Sequence, residues 1–262
     1  MSEKVKPSFV YCPRVIRLSE RIWVVLPAGG RGSRFGSSLP KQYRNVAGMA
    51  VLDHVLARFL AVSDFAGIVV SIAEGDPRFM DLYHATDSRV AAIVGGVERQ
   101  DSVHAGLSWL AAQGAADSDW VFVHDAARPL LTENELHALL EAVRHPECPG
   151  CVLGVPAADT LKRADRLSYC PDVTDTQVSE TLDRSGLWHA MTPQVFRLRP
   201  LLEALDAMHD ALKTVTDESQ AMEAAGVLPW LIRGRRSNIK LTYPEDFELI
   251  ESVLTQRMED SI

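Results

Sequence analysis

The sequence predicts an α/β fold, a mainly parallel sheet with helices on both faces, and three observations carry that expectation. Short β-branched, apolar runs alternate with segments of helical period along most of the chain. The first run, Ile22-Trp23-Val24-Val25-Leu26, stops abruptly at Pro27 and a glycine cluster. A single polar segment, 158–185, interrupts the alternation.

The elements follow in order. After the first strand, Val51, Leu52, Val55, Leu56, Phe59 and Leu60 recur at helical spacing. Gly67 to Ala73 and Val90 to Val94 read as strands. Glu98 to Gln113 reads as a helix with Val103, Leu107 and Leu110 on one side. Trp120 to Val123 is a further buried strand, Glu133 to Arg144 a helix and Cys151 to Val155 a strand. Near the C-terminus, Ser219 to Ala225 is helical, Leu228 to Ile232 extended, and Pro244 to Met258 helical with Thr242 as its expected cap. In such a sheet ligands bind at the carboxyl ends of the strands.

The segment 158–185 carries Lys162, Arg163, Asp165, Arg166, Asp172, Asp175 and Glu180, while Thr174, Gln177, Val178, Thr181 and Leu182 suit strands. A structureless loop this long is uncommon inside a domain, so it reads either as a surface loop or as a projecting β-arm that mediates dimerisation. The organisation expected is one domain over 21–258, with 158–185 as the arm and 1–20 as an N-terminal extension.

Composition narrows the function. The 262 residues carry 27 Lys+Arg and 35 Asp+Glu, a formal charge of −8, which argues against non-specific nucleic-acid or anionic-membrane binding. No apolar stretch approaches the ~18–20 residues that cross a bilayer. Met1 to Arg21 is interrupted by Lys4, Lys6, Arg14, Arg17 and Glu20 and lacks a signal peptide's apolar region, so a cytoplasmic protein is expected. Four cysteines are too few for a disulfide scaffold; Cys148-Pro149-Gly150-Cys151 sits in a Pro/Gly turn without a second ligand pair and reads as loop cysteines.

Local charge contradicts the total. The first strand feeds Ala28-Gly29-Gly30-Arg31-Gly32-Ser33-Arg34-Phe35-Gly36, where glycines let backbone N–H groups approach a phosphate chain. Phe35 occupies the third glycine position of a dinucleotide fingerprint, and Lys41 follows Leu39-Pro40 rather than a glycine, so neither that motif nor a Walker loop is present. Arg31, Arg34, Lys41 and Arg44 fall in an acid-free stretch, as do Arg233, Arg235, Arg236 and Lys240. The first reads as a cradle for a polyanion such as a triphosphate, with a plain glycine turn as the alternative; the second is a further basic patch, with a solvated basic turn as its alternative. Asp125, in Val123-His124-Asp125-Ala126-Ala127-Arg128-Pro129 at the end of a buried strand, is a natural Mg²⁺ ligand opposite such a cradle; a helix-capping role is the alternative. His124 reads as a core histidine. Nucleotide, Mg²⁺ and a second phosphorylated substrate together imply phosphoryl or nucleotidyl transfer.

The runs PAGGRGSRF, PKQY, GGVERQDSV, HDAARP, DTLKR, LDRSGLWHAMTPQ, TDES and NIKLTYPED, in this order from about Trp23 to Leu254, resemble the 2-C-methyl-D-erythritol 4-phosphate cytidylyltransferase family of the non-mevalonate isoprenoid pathway. The resemblance implies a Rossmann-like nucleotidyltransferase fold. It places Ala28, Gly29, Gly30 and Gly32 on the CTP triphosphate, and Gly96 and Ser102 at the base. Arg34 and Lys41 match the catalytic pair that stabilises the transition state, and Asp125 the metal-associated aspartate. Thr160, Arg184, Thr192, Thr216, Lys240 and Arg128 match acceptor-binding positions. It also implies a homodimer in which the arm serves the neighbour's site. The sequence departs from some relatives at Val97, in the run that reads the base, and at Ser237, just before NIK, where they carry acids; because of the second departure Asp125 is the only protein carboxylate assigned to the metal.

The methylerythritol phosphate dianion is itself a nucleophile, so the implied chemistry needs positioning and charge neutralisation rather than a general base. A ribitol-5-phosphate cytidylyltransferase is the nearest alternative and differs only at the acceptor pocket. GGVERQDSV speaks against a sugar-1-phosphate nucleotidyltransferase. A non-catalytic nucleotide-sensing module would not need both Arg34 and Lys41.

Overall fold

The computed structural model describes residues 20–30, 39–164 and 177–260. Residues 1–19 of the extension, Gly32 and Arg34 of the glycine-rich loop, and residues 165–176 of the polar segment lie outside the described residues. In chain order the elements are β1 (Ile22–Pro27), β2 (Asn45–Val46), β3 (Met49–Ala50), α1 (Val51–Leu60), β4 (Phe65–Ile72), β5 (Val90–Val94), α2 (Arg99–Ala112), β6 (Trp120–Val123), α3 (Glu133–Arg144), β7 (Cys151–Pro156), β8 (Leu161–Ala164), β9 (Val178–Leu182), β10 (Trp188–Arg197), α4 (Leu198–Asp210), α5 (Glu218–Ala224), β11 (Trp230–Arg233) and α6 (Glu245–Glu259).

Seven strands form one sheet in the order β11-β7-β10-β6-β1-β4-β5. β1 pairs in parallel with β4 and β6, β4 with β5, and β11 with β7. β10 runs antiparallel between β6 and β7. The α/β expectation therefore holds, with β10 and the following α4 as elements that the sequence reading did not anticipate. β10 is covered on both faces and shows no clean alternation. α4 carries Pro200 in its first turn, where a missing N–H costs no helical hydrogen bond.

Period-two alternation divides the core between the two faces. Val24 and Leu26 of β1, with Phe122 of β6, pack on one face against Leu52, Leu56 and Phe59 of α1 and Leu136 and Leu140 of α3. Val25, Val121 and Val123 point to the other face, against Val103, Leu107 and Leu110 of α2 and Leu201 and Leu205 of α4. Each such fully buried side chain stabilises the fold by about 1.5–3 kcal/mol relative to exposure. Gly106 lets α2 lie directly on β1, since a Cβ there would stand 2.6 Å from Val25 Cγ1. A third cluster joins Val46, Val51 and Leu130 to Leu241, Ile250 and Leu254, seating α6 beside the cavity described below.

Two local expectations need restating. α6 starts with Pro244 at its cap, and Thr242 is not the capping side chain; instead the Asp246 carboxylate accepts the Thr242 and Tyr243 N–H groups, each at 2.7 Å. A carboxylate in the first turn suits the positive end of the helix dipole and reaches two donors where a threonine hydroxyl reaches one. The polar segment forms a separate two-stranded antiparallel sheet of β8 and β9, with Arg163 and Glu180 paired at 2.7 Å. Cys148 and Cys151 are free thiols at the opposite end of β7 from the arm; Cys148 lies in the turn from α3, as expected, but Cys151 is the buried first residue of β7 and packs in the core rather than in a loop.

Candidate active site

The strand order reverses at β1, whose neighbours β4 and β6 lead to opposite edges of the sheet, so a crevice opens at the carboxyl ends of β1 and β6. A cavity of about 380 Å³ lies there, lined among others by Ala28, Gly29, Gly30, Lys41, Ser102, Asp125 and Lys240. Residues more than 200 positions apart in sequence thus face one space. Ala28 continues the sheet, donating its N–H to Ser71 O at 2.7 Å, after which the chain turns away.

Asp125 is the electrostatic centre. Its Oδ1 accepts Arg99 Nε at 2.8 Å, and its Oδ2 lies 2.9 Å from Lys240 Nζ and 3.3 Å from Arg128 Nε. The side chain is 8 % exposed. Burial alone would raise its pKa, but Arg99, Lys240 and Arg128 outweigh that and hold it well below the ordinary carboxylate range. The oxygens go to cations rather than to a helix N-terminus, so the capping alternative is set aside. Behind it, Asp125 N–H donates to Thr192 Oγ1 at 3.0 Å, and that hydroxyl bonds His124 Nδ1 at 3.1 Å. His124 Nε2 faces the Arg128 carbonyl at 3.1 Å and so carries the ring proton. Full burial lowers the His124 pKa to about 4, so the ring is neutral at pH 7 and acts as a spacer that sets Asp125.

Lys41 lies on a 3₁₀ turn, Lys41–Tyr43, and donates Nζ to Leu241 O at 2.7 Å, which ties the PKQY turn to the NIKL segment. Next to it, the buried Gln42 donates Nε2 to Ala28 O at 2.6 Å and Gly30 O at 3.3 Å. Gly96 must be glycine, since a Cβ would stand 2.1 Å from Asp101 Cβ, and its N–H donates to Ser102 Oγ at 3.2 Å.

Among the residues assigned from sequence, Ala28, Gly29, Gly30, Lys41, Ser102, Asp125 and Lys240 line the cavity, with Gly96 bonded to Ser102. Arg128 and Thr192 stand behind Asp125, Arg128 also donating to Asn238 O at 2.7 Å. Thr216 is exposed at the head of α5, its hydroxyl 3.3 Å from Gln220 Oε1. Thr160 and Arg184 are exposed at the base of the β8–β9 hairpin and do not line the cavity of their own chain. Of the second basic cluster, Lys240 alone lines the cavity.

Sequence reasoning missed Arg99 and Glu218. Arg99 opens α2, and beyond Asp125 it grips the buried Glu218 of α5 at 2.6 and 3.0 Å. Burial opposes its charge, but Glu218 and then Asp125 raise its pKa above that of a free guanidinium. The signal was available in part: a cation in the first helical turn opposes the helix dipole and demands a carboxylate partner. Which carboxylate, 26 or 119 positions away, only the fold reveals.

A divalent cation fits this arrangement. Asp125 lines the cavity, and its Oδ1 has one cation partner where a carboxylate oxygen offers two lone pairs, so it keeps one to offer. No group of three His, Cys, Asp or Glu side chains among the described residues can hold a metal alone. The remaining ligands would then be phosphate oxygens and water, as Mg²⁺ favours.

Comparison with known proteins agrees with the geometry. The family model described as 2-C-methyl-D-erythritol 4-phosphate cytidylyltransferase matches residues 22–256. The protein of that name from Pseudomonas putida is 48% identical over 226 residues, covering 86% of this chain and 92% of the relative. That from Pseudomonas fluorescens is 45% identical over 235 residues, covering 90% and 96%. A crystal structure of a 4-diphosphocytidyl-2C-methyl-D-erythritol synthase superposes with a TM-score of 0.75 at 36% identity, over 90% of this chain and 99% of that one. The Francisella tularensis cytidylyltransferase structure gives 0.74 at 31%, over 89% and 99%. The chain belongs to the 2-C-methyl-D-erythritol 4-phosphate cytidylyltransferase family of nucleotidyltransferases.

Proposed function

We propose that this cavity joins CTP to 2-C-methyl-D-erythritol 4-phosphate, forming 4-diphosphocytidyl-2-C-methyl-D-erythritol and pyrophosphate, a step of the non-mevalonate isoprenoid pathway. The observation that carries the reading is the convergence of the glycine turn 28–30, Lys41, Lys240 and Asp125 on one crevice at the switch point of the sheet. The backbone at Ala28–Gly30, with Gly32, takes the triphosphate; Gly96 and Ser102 take the cytosine edge. The acceptor phosphate attacks the α-phosphorus in line, and the P–O bond to the β-phosphate breaks as pyrophosphate leaves. The acceptor oxygen already carries charge, so no side chain needs to remove a proton.

What the protein supplies is alignment and positive charge. Lys41, joined by Arg34 of the glycine-rich loop, neutralises the charge that builds on the α-phosphate, an effect worth about 3–4 kcal/mol per well-placed donor. Lys240, held by Asp125, faces the acceptor phosphate, with Arg128 and Thr192 fixing Asp125 from behind. Asp125 would hold a divalent cation, which when bound screens the phosphate charges and favours in-line transfer.

The exposed positions complete the site from a second copy. Thr160 and Arg184 stand where β8 leaves and β9 returns to the body of the protein. Two polar groups with no cavity of their own, on a projecting hairpin, suit a homodimer in which each arm closes its neighbour's acceptor pocket. Pyrophosphate release from CTP, measured with 2-C-methyl-D-erythritol 4-phosphate and with ribitol 5-phosphate, tests the assignment. Turnover with the first is expected; turnover with the second alone reassigns the acceptor, and turnover with neither overturns the reading.

A further inference from the structure

The PKQY turn does more than present Lys41. Pro40 closes it through Tyr43 N–H to Pro40 O at 3.0 Å, and Tyr43 anchors it to Asp76 at 2.8 Å. Between these fixed points the Gln42 side chain, 4 % exposed, runs back under the glycine turn. Its amide nitrogen has two hydrogens, and it serves two carbonyls, Ala28 O and Gly30 O. In a trans peptide the C=O and N–H point in opposite directions, so holding Ala28 O toward Gln42 turns Gly29 N–H the other way. Gly29 N–H has no hydrogen-bond partner among the described residues, so it is available to an anion. A carbonyl rotated toward a triphosphate would instead present the negative end of its dipole.

We propose that Gln42 is the positioning residue of the triphosphate site, the clasp that fixes the glycine turn with its carbonyls bound and a backbone donor exposed, and that joins this turn to Lys41. The assignment rests on the reading of the cavity as a CTP site. Because Gln42 touches the loop and not the acceptor residues, its effect is confined to the nucleotide. Tyr43 and Pro40 hold the turn without it, so Lys41 stays in place when the clasp is lost.

Two variants separate this role from packing. Gln42→Met keeps the length and apolar bulk but donates nothing; Gln42→Glu keeps the shape, cannot donate when ionised, and adds negative charge beneath the turn. CTP binding with Mg²⁺ by calorimetry, without acceptor, should weaken about tenfold in Gln42→Met, with a melting temperature within a few degrees of wild type, and further in Gln42→Glu, where the buried charge also lowers the melting temperature. In turnover, KM for CTP should rise in step while KM for the acceptor stays within about twofold. A variant that binds CTP as wild type does overturns the proposal. So does a parallel rise in both KM values with a lowered melting temperature, the signature of a general packing residue. If wild-type protein itself neither binds nor turns over CTP, it is the reading of the cavity that fails.

Discussion

The crevice and the hairpin arm are built on opposite principles. At the crevice the functional side chains among the described residues are held by others: Asp125 by three cations, Arg99 by Glu218, Gln42 by two carbonyls, and Thr192 between Asp125 and His124. On the arm, the pair Arg163–Glu180 is 60 % and 49 % exposed, and Thr160 and Arg184 face solvent. A site for the highly charged nucleotide gains from fixed dipoles that need no reorganisation when charge develops. Polar groups left unburied on the arm are what the proposed contact with a second chain requires. The contrast separates side chains already fixed within one chain from the exposed ones for which a second copy is proposed.

Asp125→Ala should break the crevice most severely. It removes the carboxylate that three cations share, costing about 3–5 kcal/mol of stability by the measure of buried pairs, with activity falling more than about a thousandfold. Denaturant unfolding and turnover read both. Because the folded-state pKa of Asp125 is depressed, its contribution is present above the ordinary carboxylate pKa and is lost as pH falls below about 4; Asp125→Asn should flatten that acid limb.

Lys41→Ala should lower kcat/KM by about 10²–10³ with little change in melting temperature. Arg184→Ala sharpens the comparison, because it strikes from the arm. It should raise KM for the acceptor and leave CTP binding intact. Mixing inactive Lys41→Ala subunits with Arg184→Ala subunits should restore activity, since one site in each mixed dimer is then intact. Absence of complementation, with mixed dimers verified, would place Arg184 in its own chain's chemistry or in none.

His124 gives a subtler effect. Its folded-state pKa near 4 lies below the unfolded value of about 6.5, so the unfolded chain binds the proton first. Stability should therefore decline as pH falls from about 6.5 to 4, by roughly 3 kcal/mol, while kcat shows no inflection from this ring. His124→Gln should remove that slope in pH-dependent melting. The smallest effect belongs to the arm: Arg163→Ala, breaking an exposed pair, should shift stability by less than about 0.5 kcal/mol.

Much of the molecule was legible from local pattern. Apolar runs of β-branched residues end at glycines because a buried strand must turn sharply at the sheet edge, and that alone located the crevice behind Ile22–Pro27. The amphipathic period placed α1 and α3 to the residue, and of the cations in the two acid-free stretches Lys41 and Lys240 line the cavity. β10 escaped notice because a strand covered on both faces loses its alternation, and α4 because Pro200 interrupts its first turn.

What the sequence by itself determined is therefore the elements with a clear local period, the glycine turn and the identity of the charges, since these depend on neighbours within a few residues. Only the tertiary structure decided which charges meet. Arg99 finds Glu218 across 119 positions, Lys41 finds Leu241 across 200, and Gln42 finds a glycine turn that precedes it. The physical reason is that a buried charge or carbonyl is satisfied by whatever the fold brings within 3 Å, and the fold, not spacing along the chain, sets that distance.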